Sequence, residues 1–330
     1  MDPKAFRPPA RVTIVAGKGG VGKTTVSAAL AYLAAAAGYR VLIVEVEGKS
    51  GLPALFDHPT SLTYEEAVLL DAGAAGPGSA ELRARTLTPD DALVEYLEDR
   101  GMRRISRRLT STGTLDVIAT AVPGIKDILV LGKVKQIETQ IAAGAPGAPD
   151  CIVVDAPAAG HAVSFLSSAY GLVEAAAVGP IRTQASDVVS MLSDPDRCQV
   201  MLVTLPEETP VNEAADTAFH LEDRAGVKLA PIVVNGIWPR LDLPGSEAAT
   251  SSYLSARSVS LSASEMSALE AAAEFRRRRQ AVQEEQLARL AEALPLRQLR
   301  LPYLFTTELG LAEVRVLAEE LADQMASVSG

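Results

Sequence analysis

The sequence predicts an α/β fold, a mostly parallel sheet flanked by helices, and three observations lead there. Residues 11–16 (RVTIVA) form a short β-branched run, the look of a strand buried on both faces. Residues 24–37 read as a helix stopped by Gly38. Residues 41–45 (VLIVE) read as a second buried strand. Strand, helix and strand within ~35 residues make a βαβ unit, whose crossover implies parallel strands.

The later elements extend this pattern, and all 330 residues are read as one domain. Residues 62–112 are rich in charge, Gly and Ala, with helical stretches at 90–100 and 103–109. They are expected to form a small, mostly helical insertion on one edge of the sheet. A strand is expected at 115–120, a helix at 125–142, and a strand at 151–155 (CIVVD). Further strands are expected at 199–204, 229–235 and 299–304, separated by helical segments. Residues 262–294 read as a long charged helix or helical pair containing four consecutive arginines, Arg276 to Arg279. Four successive residues point all round a helix. They suit a solvated helix or a contact with an acidic partner. Residues 308–325 form an amphipathic helix with an acidic polar face, the opposite of a membrane-surface helix.

Composition excludes several classes of function. Hydrophobic residues make up 48%, enough for a large core, but aromatics only 4%, so Ala, Leu and Val must fill it. The net charge of −10 repels phosphate backbones and anionic lipid, so no nucleic-acid partner is expected. The two cysteines, Cys151 and Cys198, stand alone, which fits a reducing cytoplasm and leaves no ligand set for zinc or an iron–sulfur cluster within one chain. The Pro-rich lead runs straight into the first strand, so no signal peptide is expected. Of two long uncharged stretches, 24–39 falls short of the ~20 residues a span needs, and 156–173 contains Pro157, Gly160 and His161. No integral membrane segment is expected.

The chemistry concentrates in residues 17–25, Gly17-Lys18-Gly19-Gly20-Val21-Gly22-Lys23-Thr24-Thr25. The run fits G-x-x-x-x-G-K-[ST] and lies between a buried strand and a helix, as the phosphate-cradling mechanism requires. Its glycines let successive backbone N–H groups point inward at phosphate oxygens, and the positive end of the following helix adds to the attraction. Lys23 suits the β- and γ-phosphates of ATP, the Thr24 hydroxyl a Mg²⁺ ion, and Thr25 the α-phosphate. A P-loop NTPase fold that binds ATP or ADP with Mg²⁺ is therefore expected.

Lys18, directly after the first glycine, makes the motif GKGGVGKT resemble the deviant Walker A of the nitrogenase-iron-protein, MinD/ParA and ArsA group, the SIMIBI class. That resemblance implies a dimer with two nucleotides face to face, Lys18 reaching the partner's phosphates; otherwise Lys18 is a solvated loop lysine. Three later segments resemble the ArsA-type branch of arsenite-pump and tail-anchored-protein-targeting ATPases. Ile152–His161 (IVVDAPAAGH) resembles its switch II, which makes Asp155 the carboxylate that holds the Mg²⁺ water shell and leaves His161 either mechanistic or a structural helix-start residue. Val122–Asp127 (VPGIKD) resembles its P-G-x-x-E segment, with Asp for Glu. Pro231–Asn235 (PIVVN) ends where the branch places its adenine-reading Asn, so Asn235 is either that residue or a strand-to-turn residue. Residues 301–310 resemble the loop that walls the adenine pocket.

The departures matter as much. The branch has S-T-D-P-A-H after its second strand, whereas this chain has Glu45-Val46-Glu47-Gly48-Lys49-Ser50, with Glu47 at the water-positioning Asp. The extra methylene displaces the carboxylate by ~1.5 Å, and a ~1 Å displacement can cost on the order of 100-fold in rate. Slow hydrolysis is expected. This form resembles the paired ArsA-like ATPases of actinobacteria, which implies a homodimer or a heterodimer with a paralogous ATPase. A zinc-clamping C-x-x-C and an arsenite-binding cysteine cluster are missing, and of six methionines only Met102 lies in the insertion, against the ~several that a soft apolar client groove favours. The leading expectation is an ATP-driven conformational switch with a possible protein client. The alternatives are a non-hydrolysing subunit of a heterodimer and a MinD/ParA-type positioning ATPase.

Overall fold

The structure, a computed structural model, describes residues 6–46, 51–99, 101, 124–175, 179–241, 252–253, 256 and 259–326. Strand β1 (Val12–Gly17) feeds through the glycine-rich turn into α1 (Lys23–Ala36), and β2 (Val41–Val46) follows once Gly38, at φ 95°, has reversed the chain. Next come β3 (Ala67–Leu70), β4 (Leu82–Leu87), α2 (Pro89–Asp99) and α3 (Ile125–Ala142). They are followed by β5 (Cys151–Ala158), α4 (Ala159–Ala175), α5 (Pro180–Leu192), β6 (Cys198–Thr204) and α6 (Glu208–Ala225). The last elements are β7 (Ile232–Ile237), α7 (Ala263–Ala293), β8 (Gln298–Pro302) and α8 (Leu311–Ala326).

The eight strands form one sheet in the order β3-β4-β2-β5-β1-β6-β7-β8. Among the described residues only the β3–β4 pairing is antiparallel; the other six are parallel. Side chains alternate between the faces. Ile14, Leu42, Val44, Ile152 and Val154 pack toward α3, α4, α5 and α6. Val15, Val41, Ile43 and Val153 pack toward α1 and α8. Burial on both sides is why these strands read as unbroken apolar runs. The small side chains of α1 (AALAYLAAA) let it lie close against the sheet, with Ala28, Ala31 and Ala35 fully covered.

The segment 62–112 departs from expectation. Its described part carries two strands before its helix: β4 pairs with β2 in register from Val41↔Leu82 to Val46↔Leu87, and β3 closes that edge. The run LRARTL lies in a stretch whose charge, Gly and Ala content masks the strand pattern. Both of its arginines lie in a strand, stacked or paired with Tyr64, Glu66 and Glu81. The expected helix at 103–109 and strand at 115–120 lie outside the described residues. The long charged segment resolves as a single helix, α7, opened by a capping box. Ser262 Oγ accepts from the Glu265 amide at 3.3 Å, and the Glu265 carboxylate accepts from the Ser262 amide at 2.8 Å.

This topology brings the C-terminal ends of β1, β2, β5, β6 and β7 to one edge of the sheet, where open parallel sheets place their ligands. Asp155 stands in register between Val15 of β1 and Glu45 of β2. No helix among the described residues is long and apolar enough to cross a membrane.

Candidate functional site

The turn after β1 owes its shape to glycine. Gly20 and Gly22 have φ of 86° and 92°, values that side chains with a β-carbon resist. A β-carbon on Gly22 would stand 2.3 Å from Asn235 Nδ2, and one on Gly17 2.3 Å from the Val203 carbonyl oxygen. The loop therefore fits closely against the ends of β6 and β7. Gly22 is also the N-cap of α1 and supplies no side-chain cap. The first amides of α1 thus have no side-chain partner from the cap, which suits an anion.

Around the turn the polar groups converge. Lys23 Nζ donates to the Lys18 carbonyl at 3.2 Å. Burial lowers the Lys23 pKa, and the neighbouring Asp155 charge opposes that. Thr24 Oγ1 donates to Asp155 Oδ2 at 2.7 Å, and Ser27 Oγ donates to Oδ1 at 3.4 Å. Asp155 is only 5% exposed. Burial raises its pKa; the Thr24 hydrogen bond and the Lys23 charge pull it back, and the Glu45 charge pushes it further up. A buried carboxylate and a hydroxyl side by side are the hard oxygen donors a Mg²⁺ ion prefers, so these residues fit that cation. Asn235 Nδ2 donates to the Val21 carbonyl at 3.0 Å, and its Oδ1 accepts from the Gly236 amide at 3.0 Å. Its amide thereby ties β7 to the turn. Lys18 Nζ points to α6, where it pairs with Glu213 Oε1 at 2.6 Å, both side chains being 40% exposed.

Residues 10–175 match the family model described as anion-transporting ATPase. The chain is also 34% identical over 233 residues to the ATPase BagA of Mycobacterium tuberculosis, a match covering 68% of this chain. The chain belongs to the anion-transporting ATPase family. Its mostly parallel eight-stranded sheet with flanking helices is the P-loop fold of that family. The match covers 64% of BagA, so the chain spans less than two thirds of that relative's length. It is 28% identical over 242 residues to the arsenical pump-driving ATPase of Escherichia coli, covering 68% of this chain and 39% of that protein. It is 29% identical over 154 residues to the ATPase get3 of Schizosaccharomyces japonicus, covering 46% of this chain and 42% of the other.

Of the residues singled out from the family resemblance, Glu47, Val122 and Pro123 lie outside the described residues. Gly124, at φ 81°, caps α3, with Asp127 in its first turn. His161 is exposed on the first turn of α4. Cys151 and Cys198 open β5 and β6 and face opposite sides of the sheet; burial pushes both thiols up to about 12.

Several residues at the site escaped the sequence reading. Ser27, fully buried on α1, looked like one more small core residue. Glu45 did leave a signal, a lone charge in the apolar run VLIVEV. Trp238 stands three residues beyond Asn235. Its ring lies 5.8 Å from Tyr303 and 5.5 Å from Phe305, centroid to centroid. The guanidinium groups of Arg276 and Arg279 lie 5.3 and 5.8 Å from its centroid, and Arg279 also pairs with Glu207 at 2.7 Å. Two of the four arginines therefore return to the body of the protein, while the Arg278 side chain, 78% exposed, fits the solvated reading.

Proposed function

We propose that this chain binds Mg-ATP in the turn after β1, hydrolyses it slowly, and acts as a nucleotide-driven switch within a dimer. The observation that carries the reading is the hydrogen bond between Thr24 and the buried Asp155, at the head of a helix whose N-terminus opens on a glycine-shaped turn. It supports a Mg²⁺ ion held by Thr24 and Asp155, beside phosphates cradled by Gly17, Gly19, Gly20, Val21 and Gly22, with Lys23 and Thr25 completing the cradle. When bound, Mg²⁺ neutralises charge on the β- and γ-phosphates.

Lys23 holds the phosphate tail, and Asn235 presents donor and acceptor to the adenine edge once its amide lets go of the turn. Glu47 orients the attacking water, and its extra methylene accounts for slow turnover. Lys18 serves the partner's nucleotide. Its exposed pairing with Glu213 is worth only ~0.2–1 kcal/mol and exchanges readily for a phosphate. The partner is a second copy or a paralogous ATPase, and the setting is the cytoplasm. Arsenite as cargo is not part of the proposal, because both cysteines are buried on opposite faces of the sheet.

The test is steady-state phosphate release with light scattering on the same samples, for the wild type, Lys18→Ala and Glu47→Ala. Slow turnover and ATP-promoted dimerisation are expected in the wild type. Lys18→Ala should lose both; Glu47→Ala should lose turnover and keep the dimer. Bound nucleotide with neither turnover nor dimer, restored by a paralogue, would make the chain one subunit of a heterodimer. Absence of nucleotide binding would overturn the proposal.

A further inference from the structure

Strand β2 carries a charge where its neighbours are apolar. Glu45 is 4% exposed, in a strand otherwise made of Val, Leu and Ile. A buried carboxylate is costly unless something compensates it. Its neighbours in register are Thr86 on β4 and Asp155 on β5. Thr86 Oγ1 donates to Glu45 Oε2 at 2.6 Å, which fixes the side chain. Adjacent strands lie ~4.8 Å apart, so Glu45 and Asp155 stand beside one another. By alternation from Ile43 and Val153, both fall on the face toward α1, the face from which Thr24 and Ser27 reach Asp155.

We infer that Glu45 is a positioning residue of the cation site, a second fixed negative charge that makes nucleotide binding depend on the divalent ion. The inference rests on the Mg-ATP reading. Two carboxylate groups side by side oppose one another through like charge. A divalent cation beside Asp155 offsets that opposition, so the ion is held more tightly than by Asp155 alone. Without the ion, the same pair repels incoming phosphate. Glu45 thus favours the metal–nucleotide complex and disfavours free nucleotide, acting through charge and without a bond to the phosphates.

The experiment uses the full chain, Mn²⁺ as probe, and a non-hydrolysable ATP analogue. Mn²⁺ affinity in the nucleotide complex is read by electron paramagnetic resonance. Affinity for a fluorescent ADP is read by anisotropy in EDTA. Glu45→Gln keeps an acceptor for Thr86 and removes the charge. It is expected to weaken Mn²⁺ binding by about 10- to 100-fold, the range seen when outer partners of a metal site are changed. Its metal-free nucleotide affinity should stay equal or rise, and Glu45→Asp should recover part of the Mn²⁺ affinity. Mn²⁺ affinity unchanged in Glu45→Gln would overturn the inference and leave the Mg-ATP reading standing. Parallel loss of Mn²⁺ and of metal-free nucleotide binding would also overturn it, by showing a purely structural role. A wild type that binds neither probe would sink the Mg-ATP reading and this inference with it. Should Glu45→Gln not fold, Glu45→Val, the residue type of much of that strand, decides: it too removes the charge, and Mn²⁺ affinity equal to the wild type there would overturn the inference.

Discussion

Replacing Gly22 by alanine places a methyl group where Asn235 Nδ2 now lies, 2.3 Å from the new β-carbon, at a residue with φ of 92°. Two penalties follow. Holding an alanine in a left-handed conformation costs about 1–2 kcal/mol. Pushing the Asn235 side chain aside breaks its bonds to the Val21 carbonyl and the Gly236 amide, each worth about 0.5–1.5 kcal/mol net. Gly22→Ala should therefore destabilise the protein by about 2–5 kcal/mol, and Asn235→Ala alone by about 1–3 kcal/mol. In the Asn235→Ala background the clash is gone, so the glycine change should cost only its strain, leaving a coupling of about 1–3 kcal/mol between the sites. Urea unfolding by far-ultraviolet circular dichroism on all four proteins measures this. If Gly22→Ala cost the same with and without Asn235, the close fit between the turn and β7 would be refuted.

Three further outcomes are expected. Burial alone would raise the pKa of Glu138, but hydrogen bonds from Arg197 and Arg11 outweigh it and hold the carboxylate below its ordinary 4.5. The stability it contributes is therefore present above that ordinary value and lost as pH falls through the lower folded value. Glu138→Gln should cost about 3 kcal/mol or less at neutral pH and flatten the acid side of the urea-midpoint profile; an unchanged profile would contradict this. Cys151 and Cys198, 3% and 0% exposed with thiols pushed up to about 12, should resist a thiol reagent until the protein unfolds; labelling faster than unfolding would count against their burial. Glu213→Gln should change stability by less than ~1 kcal/mol, since both partners are 40% exposed, yet favour the ATP-bound dimer in light scattering by releasing Lys18. Weaker dimerisation would contradict the cis pairing of Lys18.

What the sequence disclosed depended on how locally each feature is encoded. The glycine-rich turn, its strand and its helix were legible because spacing alone determines them; α1 begins one residue before the expected position and α3 spans the expected range. Asp155 was legible because it is the one charge in the apolar run CIVVDAPA. The strands β3 and β4 were not: β3 is only four residues long, β4 mixes arginine and alanine, and pairing of β4 with β2 and of β3 with β4 is what makes them strands. The same holds at the site. Glu45 and Thr86 lie 41 positions apart, and Lys18 and Glu213 lie 195 apart, so neither contact leaves a local pattern. The Trp238 cluster joins the end of β7, the chain after β8 and α7, three segments with no common periodicity.

Isothermal titration calorimetry decides whether the turn at 17–25 binds ATP with a divalent cation. The wild type and Lys23→Ala would each be titrated with ATP, with Mg²⁺ and with EDTA. The wild type is expected to bind one nucleotide per chain, more tightly with Mg²⁺, and Lys23→Ala to bind none or far more weakly. Equal binding by the two proteins, or binding indifferent to Mg²⁺, would contradict that expectation.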